Sequence, residues 1–146
     1  MKPALHVATA ARVKADGCVT SAVVLRWNGT GPPRVIVRSQ QKGDVMAAAY
    51  RALVLGLTEA RRVRARAVII YADDADVVAQ LDGTERPPAP VLGLYLHVRA
   101  LLNAFRSAQV QHCAARETPE AVFAAAAAVR RRRPVYSDLP LWAAAS

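Results

Sequence analysis

Three aspartates, Asp73, Asp74 and Asp76, lie close together in YADDADVVAQLDG, the segment from Tyr71 to Gly83. Neighbouring carboxylates are the oxygen ligands that hard cations such as Mg²⁺ take, but a lone carboxylate holds such an ion weakly. Asp73 therefore has two readings: a metal ligand, or the N-cap of a helix running through Val77 and Leu81. Asp74 and Asp76 suit the first turn of that helix, where acids complement its dipole. The other reactive side chains are scattered. His6, His97, His112, Cys18 and Cys113 make no CxxC pair and no zinc spacing. Both thiols are expected to be reduced and partly buried. His112 has no identifiable nucleophile or orienting partner, so a strand-end position fits it better than acid–base catalysis.

The basic residues form a second pattern. Lys and Arg total 20 against 11 Asp and Glu, a formal net charge of +9. An excess of that size favours a polyanionic partner, although basic solubility in an arginine-rich chain would need none. Arg34, Arg38 and Lys42 lead from a strand into a helix, where phosphates of a duplex could lie across the edge. Arg130 to Arg133 is the densest run, suited either to a phosphate backbone or to the last carbonyls of a helix. Aromatic residues make up only 5%, too few for a platform that stacks a single strand.

The elements that must position these groups can be read from periodicity. The chain has 146 residues, 53% hydrophobic and 21% charged, which fits one globular domain with its own core. No apolar run reaches the roughly 20 residues of a membrane span, and no signal-peptide pattern opens the chain. A cytoplasmic location is expected. Ala4 to Ala11, Cys18 to Trp27 and Arg34 to Ser39 read as strands, joined by turns at Asp16-Gly17 and Asn28-Gly29. In the third, Val35 and Val37 share one face, and Arg34, Ile36 and Arg38 the other. Asp44 to Arg64 changes to helical spacing, with Asp44 as N-cap and arginines at the C-terminal end. Ala67 to Tyr71 is a strand, Asp73 to Leu81 a short helix, Val91 to Phe105 an amphipathic helix and Ala108 to Cys113 a strand. Thr118-Pro119-Glu120 opens a final helix, Ala121 to Arg133, which Pro134 stops. Residues 1–134 are expected to form the domain. Residues 135–146 form an apolar tail with Leu139, Leu141 and Trp142, able to dock on the domain or on a partner.

With these strings, the order β-β-β-α-β-α-α-β-α resembles the ribonuclease H family, in its short type I prokaryotic form. AAYRALVLGLTEA, Ala48 to Ala60, is similar to that family's first-helix pattern. YADDADVVAQLDG is similar to its strand-to-helix pattern, and HCAARETPEAVFAAAA, His112 to Ala127, to its last strand and helix. The likeness runs from about Leu5 to Val129. It implies an α/β fold: a five-stranded mixed sheet, three antiparallel strands then two parallel, with helices on both faces. It also implies two-metal hydrolysis of the RNA strand of an RNA–DNA hybrid by about four carboxylates. Carried across, those positions fall on Ala8, on Ala49, on Asp73 and on Val122, or on Phe123 if one gap is moved. Only Asp73 keeps an acid, and methyl groups cannot ligate a metal. Arg116 and Glu117 resemble the family's Arg-Glu pair, with Arg116 as a phosphate contact.

The resemblance, the missing acids and the charge together lead to a catalytically degenerate domain that binds duplex nucleic acid through its backbone. The expected contacts are Arg34, Arg38, Lys42, Arg116, Arg130 and Arg131. No cofactor is expected. A residual hydrolase using Asp73, Asp74 and Glu117 with Mg²⁺ or Mn²⁺ is the first alternative. A module that forms homo-oligomers or binds a protein through the tail is the second.

Overall fold

The computed structural model describes residues 3–27, 33–40 and 43–112. The expected helix from Ala121, the tail and the turn at Asn28-Gly29 lie outside them.

Strands β1 (Leu5–Val13), β2 (Val19–Trp27) and β3 (Arg34–Gln40) form an antiparallel meander. The turn between β1 and β2 uses Gly17 at φ +89, a left-handed conformation that costs glycine nothing. Asp16 accepts the Cys18 amide hydrogen there at 2.9 Å. Strands β4 (Ala67–Ala72) and β5 (Ser107–His112) add in parallel on the free side of β1. The sheet order is β3-β2-β1-β4-β5, so the expected mixed sheet is present.

Helix α1 (Val45–Arg62) crosses the sheet. Asp44 caps it, accepting the Ala47 amide hydrogen at 3.1 Å. Its inner stripe buries Ala48, Ala49, Tyr50, Ala52, Leu53, Leu57 and Ala60, whereas Val45 stays exposed. Leu53 and Leu57 each contribute roughly 1.5–3 kcal/mol by leaving water. Gly56 lets the helix lie close on β1 and β2, since a Cβ there would come within 2.6 Å of Val7 and 3.1 Å of Val23. Helix α2 (Ala75–Leu81) turns Val77 and Leu81 inward. After a short 3₁₀ turn, helix α3 (Leu92–Asn103) buries Val98 and Leu101.

Three side-chain contacts tie these helices together. The buried Tyr50 hydroxyl donates to Gln80 on α2, and the Gln80 amide lies 3.7 Å from the Met46 sulfur. Burial pushes the Tyr50 phenol up to about 12. Arg99 on α3 donates to the Leu81 carbonyl at 2.8 Å and so satisfies an orphan acceptor at the end of α2.

Strand alternation divides the core in two. Leu5, Val7, Val23, Val68 and Ile70 join the described helices in the main cluster, while Ala8, Ala10, Ala22 and Val37 form a smaller one on the sheet's second face.

Candidate functional site

At the end of β4 the chain turns into α2, and the two adjacent aspartates separate in role. Asp74 is the cap, accepting the amide hydrogens of Asp76 at 3.0 Å and Val77 at 3.1 Å. The N-cap reading of Asp73 is thereby corrected: the strand runs on to Ala72, so the capping position falls one residue later. Asp73 points back across β1 instead. Its Oδ2 lies 2.9 Å from Nη1 of Arg12, and it accepts the Ala11 amide hydrogen. The Asp73 side chain is 12% exposed against 51% for Arg12, so a nearly buried carboxylate meets a largely solvated cation. Burial raises the Asp73 pKa above the ordinary carboxylate value. Arg12, the Ala11 amide and the Arg12 charge oppose that rise without cancelling it.

The other described positions predicted for a metal site divide between the two faces of the sheet, Ala49 in the main cluster and Ala8 in the smaller one. Ser21 pairs with Ala11 across β1 and β2 and donates to the Ala48 carbonyl at 2.7 Å. The first turn of α1, with Ala49 beside Ala48, therefore lies over the same strand end that Asp73 touches. Ala8 does not reach that end. It pairs with Tyr71, and Thr9 pairs with Ala72, so continuing the register by one sets Ala10 beside Asp73. Ala8 and Ala10 share the second face of the sheet. The continued register thus puts another alanine next to Asp73, with Ala8 two residues earlier on the same face. Val122 lies outside the described residues. His112 ends β5 opposite Ala72, exposed, as expected of a strand-end residue.

The basic candidates also separate. Arg34 sits 2.6 Å from Glu59, which Arg62 holds as well, at 2.8 Å and 2.5 Å. Arg34 is therefore committed to an ion triad at the end of α1. Hydrogen bonds from Arg62, with the charges of Arg34 and Arg62, hold the Glu59 pKa below its usual value despite its burial. Arg38 is on the same face of β3 and lines a groove of ≈ 310 Å³ with Arg51 and His97. Arg51 donates to Gln40 there at 2.8 Å. Sequence reasoning missed Arg51 and His97; both lie on helix positions that look merely solvent-facing until the helices are set against β3. Lys42, Arg116, Arg130 and Arg131 lie outside the described residues.

A five-stranded mixed sheet in this order, crossed by a long helix after its third strand, is the RNase H-like fold. The chain belongs to the family whose model is described as Reverse transcriptase-like, which matches residues 8–129. Similar solved structures are RNase H domains. One is the N-terminal RNase H domain of a Mycobacterium tuberculosis protein, solved as a fusion with maltose-binding protein. It has a TM-score of 0.72 at 21% identity over 88% of this chain and 99% of that one. RNase H1 from the halophilic archaeon Halobacterium salinarum has 0.75 at 21% identity, over 82% and 92%. LC11-RNase H1, solved in complex with an RNA/DNA hybrid, has 0.70 at 14% identity, over 84% and 99%. No curated protein matches this chain.

The metal pair that such a fold implies does not fit these residues. Among the described residues no group of three or more His, Cys, Asp or Glu could hold a metal ion. Asp73 already has the Arg12 guanidinium as its counter-charge. Among the same residues, no helix is long and apolar enough to cross a membrane.

Proposed function

We propose that this domain binds duplex nucleic acid without cleaving it. The observation that carries the reading is the pairing of Asp73 with Arg12, with alanines at Ala8 and Ala49, where the resemblance places two of the other acids. Two-metal hydrolysis needs several ionised oxygens converging on paired cations. Here a single carboxylate is neutralised by a side chain of the same protein. A divalent ion would have to displace Arg12 and then find too few ligands.

The binding half of the proposal rests on charge and fold. The +9 excess suits a polyanion. The groove holding Arg38, Arg51 and His97 offers phosphate contacts beside the edge strand. A solved relative of the same fold, LC11-RNase H1, is bound to an RNA/DNA hybrid. Lys42, Arg116, Arg130 and Arg131 extend the basic set in sequence, whereas Arg34 contributes less because Glu59 already engages it. Contacts of this kind read shape and backbone, so affinity should be salt-dependent and weakly sequence-specific.

The test is a hybrid cleavage assay run beside a binding assay. With Mg²⁺ or Mn²⁺ the protein should leave an RNA–DNA hybrid intact, yet bind it with micromolar-scale affinity that falls about tenfold or more between 50 and 200 mM salt. Replacing Arg38 and Arg51 together with serine should weaken binding about tenfold. Metal-dependent cleavage abolished by Asp73→Asn would overturn the proposal. Absence of any salt-sensitive duplex binding would overturn its second half.

A further inference from the structure

At the opposite end of the sheet from Asp73, the strand starts gather three arginines and a tryptophan. Arg66 immediately precedes β4 and Arg106 immediately precedes β5. Because Ala67 pairs with Ser107, the two arginines emerge side by side. The Arg66 carbonyl fixes this arrangement by accepting the amide hydrogens of Arg106 at 2.9 Å and Ser107 at 3.3 Å. Arg64 joins them just beyond the end of α1, with φ at 60, the left-handed region that costs a side-chain-bearing residue energy. Trp27 ends β2 and stands 42% exposed. These four residues, with Pro3 and Ser107, line a cleft of ≈ 690 Å³.

Among the described residues the charge in this cleft is not offset. No acidic side chain among the described residues lines it, and Arg64, Arg66 and Arg106 enter none of the ion pairs those residues form. Three like charges held together repel one another, a cost that an anionic ligand would remove. Guanidinium groups match phosphate oxygens two at a time. An indole face stacks on a nucleobase, and one indole serves one base. The volume is within the range of small-molecule sites, which suits a nucleotide.

We infer that this cleft, lined by Arg64, Arg66, Arg106 and Trp27, binds a phosphorylated nucleoside, its phosphates on the arginines and its base against the indole. The ligand could be a free nucleotide or the 5′-phosphorylated end of a strand, which share this chemistry. The site is at the far end of the sheet from Asp73 and its residues are not those of the duplex groove. The two proposals therefore stand or fall separately.

Calorimetric titration of the full chain tests the inference, using ATP, inorganic triphosphate and short single strands with or without a 5′-phosphate. ATP should bind with a dissociation constant on the order of 100 µM, and triphosphate about tenfold more weakly because it lacks the base. Arg66→Ser with Arg106→Ser should weaken both ligands at least tenfold, by roughly the loss of two charge-assisted contacts, while duplex binding stays within about twofold. Trp27→Ala should weaken ATP alone. A 5′-phosphorylated strand that binds tighter than ATP would identify a strand end as the ligand, and equal or weaker binding would identify the free nucleotide. Failure of every phosphorylated probe to bind at millimolar concentration would overturn the inference. So would binding that the double variant leaves unchanged.

Discussion

Glu59 and Asp73 are both nearly buried and both meet arginine, and yet their pKa values shift in opposite directions. Glu59, at the end of α1, has two guanidiniums arriving from different elements, Arg34 from β3 and Arg62 from its own helix. Its pKa is lowered, so the fold favours its charge. Asp73 has one guanidinium and one backbone amide, and its pKa is raised, so the fold resists its charge. Hydrogen bonds and partner charges must exceed desolvation before a buried carboxylate stabilises a protein, and here two arginines suffice where one does not. Glu59 thus acts as a brace between strand and helix. At the Asp73 end the described residues offer that carboxylate a single guanidinium.

That difference can be tested most strongly by adding charge at Asp73. Ala10→Asp would place a second carboxylate in a position only 1% exposed, beside Asp73. It should cost about 3 kcal/mol in urea unfolding at pH 7. A variant as stable as the parent, or one rescued by millimolar Mn²⁺, would show that the site does accommodate cation and acid together.

A smaller effect is expected at Glu59. Because its folded pKa is lowered, its contribution is present above the unfolded value of about 4.3 and is lost as pH falls through the folded pKa. Glu59→Gln should cost about 1 kcal/mol at pH 7, discounted for the solvent around both arginines, and less at pH 3. Chemical denaturation at the two pH values measures this.

The smallest effect belongs to Asp73→Asn. Its raised folded pKa means that stability falls as pH rises from about 3.9 through the folded value, and stays reduced at pH 7. The amide removes that penalty and weakens one bond to the half-exposed Arg12, so stability at pH 7 should change by less than about 0.5 kcal/mol. A loss of 2 kcal/mol would mean that Asp73 braces the fold as Glu59 does.

Much of this fold was legible in the sequence, because strand alternation and helical spacing are local properties. The Asp44 cap, the faces of β3 and the inward Val77 and Leu81 all followed from short patterns. What failed needed register or tertiary distance. ATAAR in β1 carries alanine at three of five places, so nothing in it marks whether Ala8 or Ala10 stands next to Asp73. Adjacent aspartates cannot reveal which one caps a helix until the last strand residue is known. Arg34 looked like a phosphate contact because Glu59, 25 positions away in the chain, is brought to it only by packing. Arg66 and Arg106 are likewise far apart in sequence and meet because parallel strands begin side by side.

The contact between Tyr50, Gln80 and Met46 has a dynamic consequence. Tyr50 and Gln80 are buried, and Gln80 would lose its partner if either helix moved alone. The first turn of α1 and the whole of α2 should therefore open as one cooperative unit in amide hydrogen exchange, with common protection. The turn carrying Asp73 and Asp74 would be released only when that unit opens, on the timescale of partial unfolding and not that of a fluctuating loop.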